Sequence, residues 1–323
     1  MVKIDIISGF LGAGKTTLIK KLLKDGFQGE QVVLIENEFG EIGIDGGFLK
    51  EAGSQIREMN SGCICCSLVG DFGTSLKEVV TKYDPDRILI EPSGVGKLSD
   101  VIKAVQGVQD EVDIKLNSYT TVVDAKKCKM YMKNFGEFFD NQIQYAGAII
   151  MSRTDIASEK KVQESLELLR SLNKDAAIIT TPIENLDGKK LVEVMEHPVS
   201  LEQEMLEEEH EHHHHHDGEC GCGHDHHHHH ADEVFTSWGR ETIKKYTREG
   251  LEKILEALSE SDKYGIILRA KGMLPAEDGT WIYFDMVPEE TEIREGAPEY
   301  TGRLCVIGSK LDEHALEELF GIA

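Results

Sequence analysis

Residues 9–16 read Gly-Phe-Leu-Gly-Ala-Gly-Lys-Thr and fit the pattern G-x-x-x-x-G-K-[ST]. An apolar, β-branched run, Val2–Ile7, leads into them, and a helix-forming stretch, Thr16–Leu23, leads away to a stop at Asp25-Gly26. Strand, glycine-rich turn and helix in that order make a cradle for phosphate. The glycines let successive backbone N–H groups turn toward one anion, and the positive end of the helix faces the same point. Gly9, Gly12, Ala13, Gly14, Lys15, Thr16 and Thr17 are therefore candidate nucleotide-binding residues. Lys15 would place its charge at the β- and γ-phosphates, and the Thr16 hydroxyl would serve Mg²⁺. The stretch predicts a nucleoside-triphosphate site.

Outward from it, residues 1–197 alternate short apolar runs with amphipathic ones. Strands are expected at Val2–Ile7, Gln31–Glu36, Arg87–Ile90, Tyr119–Val123, Ala148–Met151 and Ala177–Thr180. Helices are expected at Thr16–Leu23, Gly73–Lys82, Leu98–Val105, Lys126–Tyr145, Glu159–Leu172 and Lys189–Glu196. This alternation predicts an α/β fold, a P-loop NTPase domain whose mostly parallel sheet carries helices on both faces. Residues 198–232 form an acidic linker rich in histidine and cysteine, with nothing in it to fill a core. Residues 233–323 change character again. Helices at Thr247–Ser259 and Leu311–Phe320 accompany strands at Gly265–Lys271, Trp281–Met286, Thr291–Arg294 and Arg303–Ile307, which predicts a smaller α+β domain with an antiparallel sheet.

Composition narrows the function. The chain has 323 residues, 40% hydrophobic and 29% charged, with a formal net charge of -24. No dense basic stripe interrupts that charge, so nucleic acid is not an expected partner. No apolar stretch reaches the length of a membrane span, and the N-terminal run carries Asp5 and flows straight into the glycine loop. The expectation is a cytoplasmic protein. Seven cysteines, three of them within residues 63–66, suggest metal or redox chemistry more than a disulfide framework.

Four further groups carry chemistry. The strand Arg87–Ile90 ends in Glu91 and continues Pro92-Ser93-Gly94, so a carboxylate stands where it can hold Mg²⁺ and Gly94 where the chain can sense a γ-phosphate. With Lys15 and Thr16, Glu91 completes the candidate catalytic set. Ser152-Arg153-Thr154-Asp155 follows another strand; Asp155 can accept from the N1 and amino group of guanine, with Arg153 as a long cation beside it. A polar helix entry capped by Asp155 is the plainer alternative. Thr180-Thr181-Pro182 would close the base pocket. Cys63-Ile64-Cys65-Cys66 supplies soft thiolate donors for Zn²⁺ or a similar ion, and Glu36 and Glu41 on the preceding loop could complete the set. Buried structural thiols are the alternative there, and for the lone Cys128 and Cys305 the core is the favoured place. Finally, His212, His214, His216, Cys220, Cys222, His224, His226 and His228 punctuate the linker. Interchangeable ligands on such a backbone read as a buffer for Zn²⁺, Ni²⁺ or Co²⁺, or as a linker that binds metal incidentally.

With these motifs in view, the chain resembles the CobW-type metallochaperone GTPases. The matching pieces are Gly9-Phe-Leu-Gly-Ala-Gly-Lys-Thr-Thr17, Glu36-Asn-Glu-Phe-Gly-Glu41, Gly62-Cys-Ile-Cys-Cys66, the strand ending at Glu91, Gln142-Ile143, and Leu268-Arg-Ala-Lys-Gly272. The resemblance implies a GTPase domain, a metal site at the cysteines, a histidine-rich interdomain loop and delivery of metal, most often zinc, to a metalloprotein client. It departs from the family at Ser152-Arg-Thr-Asp155, where Asn-Lys-x-Asp is usual, and at Glu91-Pro-Ser-Gly94, where Glu-[ST]-[ST]-Gly is usual.

One segment thus links phosphate, Mg²⁺ and thiolates, and GTP is expected to order it and assemble the metal site. No water-positioning glutamine or built-in arginine finger can be assigned, so slow turnover raised by a partner or by dimerisation is expected. A metal-storage or sensing protein with a vestigial nucleotide site, and a P-loop small-molecule kinase, are the competing functions.

Overall fold

The computed structural model describes residues 1–36, 58–60, 69–109, 111–197, 236–287 and 290–322. The chain divides into two units, Met1–Pro198 and Val199–Ala323.

The first unit runs β1 (Val2–Gly9), α1 (Lys15–Lys21), β2 (Val32–Glu36), β3 (Glu58–Asn60), α2 (Val69–Tyr83), β4 (Arg87–Glu91), α3 (Leu98–Gln106), β5 (Ile114–Asp124), α4 (Cys128–Gln144), β6 (Ala148–Ser152), α5 (Glu159–Leu172), β7 (Ala177–Ile179) and α6 (Gly188–Glu196). Its strands form a seven-stranded sheet in the order β3-β2-β4-β1-β5-β6-β7, with every pairing parallel. Strands buried on both faces read as unbroken apolar runs, and Val32–Ile35, Ile88–Ile90 and Ala148–Met151 are fully buried in this way.

Handedness decides where the helices go. From β1 the chain steps one way along the sheet to β2; from β3, β4, β5 and β6 it steps the other way. Right-handed crossovers then put α1 on one face and α2, α3, α4 and α5 on the opposite face. The packing agrees: α2 meets α3, α3 meets α4, and α4 meets α5, while α6 packs against the turn that extends α1. The connection leaving β1 and those leaving β4 and β5 therefore part to opposite faces, which opens a crevice at their carboxyl ends.

Two details depart from the pattern of the sequence. Strand β3 was not expected; three residues are too few for a periodicity. Helix α1 passes into a π-helical turn over Leu22–Gly26, with the Phe27 N–H donating to the Leu22 carbonyl at 2.8 Å.

In the second unit, β8 (Thr236–Thr242), α7 (Arg248–Glu260), β9 (Ile266–Pro275), β10 (Trp281–Val287), β11 (Glu290–Gly296), β12 (Gly302–Ser309) and α8 (Glu313–Phe320) follow in order. The sheet runs β11-β10-β9-β12-β8 and is antiparallel throughout. Both helices start on side-chain caps: Thr247 accepts from the Gly250 N–H and Asp312 from the Ala315 N–H. Leu251, Leu255 and Leu258 of α7 and Leu316 and Phe320 of α8 share one core with Trp238, Leu274, Phe284 and Val306 of the sheet.

Cys128 and Cys305 are buried, as expected of core thiols, and burial pushes the Cys128 thiol up to about 11. Among the described residues no helix is long and apolar enough to cross a membrane.

Candidate nucleotide site

Three glycines of the phosphate loop take left-handed or otherwise positive φ: Gly9 at 145°, Gly12 at 69° and Gly14 at 107°. Gly9 has a second reason to lack a side chain, since a Cβ there would lie 2.5 Å from the Val122 carbonyl oxygen of β5. Strand and loop therefore press against β5. A turn closes the loop, with the Ala13 N–H donating to the Phe10 carbonyl at 3.1 Å. Gly14 is the N-cap of α1 and brings no side chain to the first-turn N–H groups, the kind of helix start that receives phosphate.

Lys15 is buried beside that helix start, its Nζ 3.7 Å from Oε1 of Glu91 at the end of β4. The two side chains are 9% and 16% exposed, so the pair is shielded without being sealed. Glu36, at the end of β2, is in register with Glu91 on one side and with Asn60 on the other. In-register neighbours of a parallel pair share a face, at a strand spacing of roughly 4.8 Å. The two carboxylates thus begin beside the phosphate lysine and end on β2, from which the chain runs on to Glu41, while the neighbouring β3 leads to the cysteines.

The base-reading stretch is tied to the same loop. The Ser152 hydroxyl donates to the Ala13 carbonyl at 2.6 Å. Arg153, held at φ 61°, donates from one Nη to the buried Asp124 carboxylate and from the other to the Gly12 carbonyl at 3.0 Å. A non-glycine residue in that region costs backbone energy; here the ion pair and the loop contact hold it. Asp155 lines a cleft of about 280 Å³ together with Gly14, Thr17, Pro182 and Glu184. Ser152 and Arg153 line it as well, while their donors point back into the phosphate loop. Of Thr180-Thr181-Pro182, only Pro182 lines the cleft.

Gly94 sits against the phosphate loop: a Cβ there would fall 2.8 Å from Leu11 Cδ2 and 3.0 Å from the Leu11 nitrogen. Behind it stands Gln142, whose Nε2 donates to the carbonyls of Gly94 at 3.1 Å and Gly96 at 2.8 Å.

The structure thus gathers Gly9, Gly12, Ala13, Gly14, Lys15, Thr16, Thr17, Glu36, Glu91, Gly94, Ser152, Arg153 and Asp155 at the carboxyl edge of the sheet. Glu41, Cys63, Cys65, Cys66, His212, His214, His216, Cys220, Cys222, His224, His226 and His228 lie outside the described residues. Among the described residues no group of three or more His, Cys, Asp or Glu side chains could hold a metal ion. Sequence reasoning missed Asp124 and Glu184, and gave Gln142 no role. Asp124 closes a β-branched strand much as Glu91 does, a signal that was available; Glu184 carried none.

A nucleotide-binding α/β domain followed by a small antiparallel domain is the class that this fold and loop define, and the comparison with known families narrows it. Residues 3–180 match the CobW/HypB/UreG nucleotide-binding domain, and residues 235–322 match the cobalamin synthesis protein CobW C-terminal domain. The chain belongs to the CobW/HypB/UreG family. It is 29% identical over 191 residues to the zinc chaperone YeiR of Escherichia coli, covering 59% of this chain and 58% of that one. With the zinc chaperone YjiA of the same organism it shares 30% over 194 residues, 58% of this chain and 59% of the relative. The matches thus span somewhat over half the length of these relatives. The crystal structure of Zn(II)-bound YjiA GTPase from E. coli aligns over 99% of this chain and 98% of its own at 21% identity, with a TM-score of 0.43.

Proposed function

We propose that this protein is a GTP-hydrolysing metallochaperone that couples its nucleotide state to the binding and transfer of a transition metal, zinc first among the candidates. One observation carries the reading: Glu36 and Glu91 stand in register at the carboxyl edge, and Glu91 lies 3.7 Å from Lys15. Glu36 is in turn in register with Asn60 of β3, the strand from which the chain continues to Cys63, Cys65 and Cys66. Two relatives carry the name zinc chaperone, which supports zinc as the cargo. Thiolates are donors of the right softness for it.

Asp155 in the cleft suits guanine, whose N1–H and amino group are donors that a carboxylate accepts. Thr16 and Glu91 bring the hard oxygen donors that Mg²⁺ takes. When bound, that ion supplies positive charge at the phosphoryl oxygens. Lys15 adds its own, held in place by burial so that little reorganisation is needed as negative charge builds during phosphoryl transfer. Cleavage is expected to be slow until a partner or a second copy assists, and the released ion passes to a metalloprotein client.

Phosphate release from GTP by the full chain, with no acceptor present, tests the activity. Turnover that responds to added Zn²⁺ is the expected result; transfer only to a small-molecule acceptor would point to a kinase, and no turnover to a vestigial site.

A further inference from the structure

The helix α4 lies on the face of the sheet away from α1, yet two consecutive amides on it hold the chain that leaves Glu91. Asn141 accepts from the Ser99 N–H at 3.2 Å and donates to the Ser99 hydroxyl at 3.0 Å. Gln142, with no exposed surface, donates to the carbonyls of Gly94 and Gly96. Its own carbonyl accepts the Thr121 hydroxyl of β5 at 2.7 Å, which fixes α4 to the sheet at that residue. Gly94 is therefore gripped from two sides, by Leu11 of the phosphate loop and by Gln142.

Among the described residues, neither the buried Oε1 of Gln142 nor the buried hydroxyl of Ser93 meets a hydrogen-bond partner. Leaving such atoms unpaired is costly, so the hold on the loop rests on the two bonds that Nε2 donates. On the GTPase reading, loop 93–96, which lies against the phosphate loop at Gly94, is where a γ-phosphate would be sensed.

We infer that Gln142 is a positioning residue for nucleotide hydrolysis: its side-chain amide sets where Gly94 stands against the phosphate loop, and so ties the state of that loop to α4. The inference rests on the GTPase reading. Gln142 acts through the carbonyls of Gly94 and Gly96, to which its amide donates. Since the bonds Gln142 donates go to Gly94 and Gly96 and not to the phosphate loop or Asp155, the effect falls on turnover more than on nucleotide affinity.

The test is Q142M in the full chain, which keeps the length of the side chain and removes both donors; Q142E, of the same shape but unable to donate as a carboxylate, serves if Q142M does not fold. We expect kcat for GTP to fall about tenfold or more, with KM and GDP affinity within about threefold of the parent. Amide hydrogen exchange at residues 93–97 should accelerate, with exchange along β1 and β5 unchanged. N141A, which cuts the neighbouring amide only, should leave kcat close to that of the parent. Parental kcat and parental exchange in Q142M would overturn the inference. So would a parallel fall of kcat, GTP affinity and GDP affinity, which is what a merely structural residue gives. If the parent itself does not cleave GTP, the activity reading fails, and unchanged exchange at 93–97 is then the result that separately overturns the positioning role.

Discussion

The strand β4 begins with Arg87 and ends with Glu91, and its two ends are built on opposite principles. Arg87 is 1% exposed, and its donors meet Asp5, Glu30 at 2.6 Å and Glu196 at 2.9 Å, with the guanidinium stacked 4.1 Å from the Phe27 ring centroid. Burial works against its charge, but the carboxylates of Glu30 and Asp5 outweigh this and hold the proton more firmly than in water. Asp5 is matched as fully: a register shift in the β1–β5 pairing brings both Asn117 and Ser118 to its second oxygen, at 2.8 and 2.6 Å. At the other end Lys15 and Glu91 stand 3.7 Å apart, beyond hydrogen-bond length. A closed set of bonds fixes the fold at one edge; charges held close without being bonded to each other leave room for ligand chemistry at the other.

That contrast can be broken at either end. R87M should cost about 3–5 kcal/mol in urea-monitored unfolding, because it leaves the buried Asp5 carboxylate without its cation; a loss under about 1 kcal/mol would mean the cluster is not closed. K15M is the converse: GTP turnover should fall roughly 100- to 1,000-fold while the unfolding midpoint barely moves. A large loss of stability in K15M would show that the carboxyl edge is also structural.

Acid sharpens the comparison by a smaller effect. Glu196 is partly desolvated, which works against its charge, but bonds from Arg87, Asn117 and Lys3 outweigh this and leave its pKa below the usual 4.5. The unfolded chain therefore binds the proton more readily. The stabilisation is complete above the ordinary glutamate pKa and is lost as pH falls through the folded value. E196Q should flatten the stability profile below about pH 4.5 and change little at neutral pH; an unchanged acid limb would remove Glu196 from the cluster.

The same contrast explains what could be read from the sequence. Gly9–Thr16 announced the phosphate loop because its function needs fixed residue types at fixed spacing. The strands β1, β2, β4 and β6 were legible because they are buried on both faces. Strand β8, Thr236–Thr242, was not: its Thr-Ser-Trp-Gly-Arg-Glu-Thr has one large hydrophobic side chain, Trp238, and its pairing with β12 makes it a strand. The role of Arg87 was not legible, since its three carboxylates arrive from residues 5, 30 and 196. Ser152 and Arg153 were read toward the base; their bonds to the Ala13 and Gly12 carbonyls depend on a close approach that no local pattern encodes. Gln142 sits in an amphipathic helix, where an amide reads as an ordinary polar residue until the loop it holds is in place.

The central claim is that the nucleotide governs the metal through the short path from Lys15 to Glu91 to Glu36. Zn²⁺ affinity of the full chain, measured by competition against a chelator with a non-hydrolysable GTP analogue and again with GDP, tests it most directly. The account predicts a difference of about tenfold or more, ~1.4 kcal/mol, that disappears in E36A. Equal affinities in the two nucleotide states would contradict it.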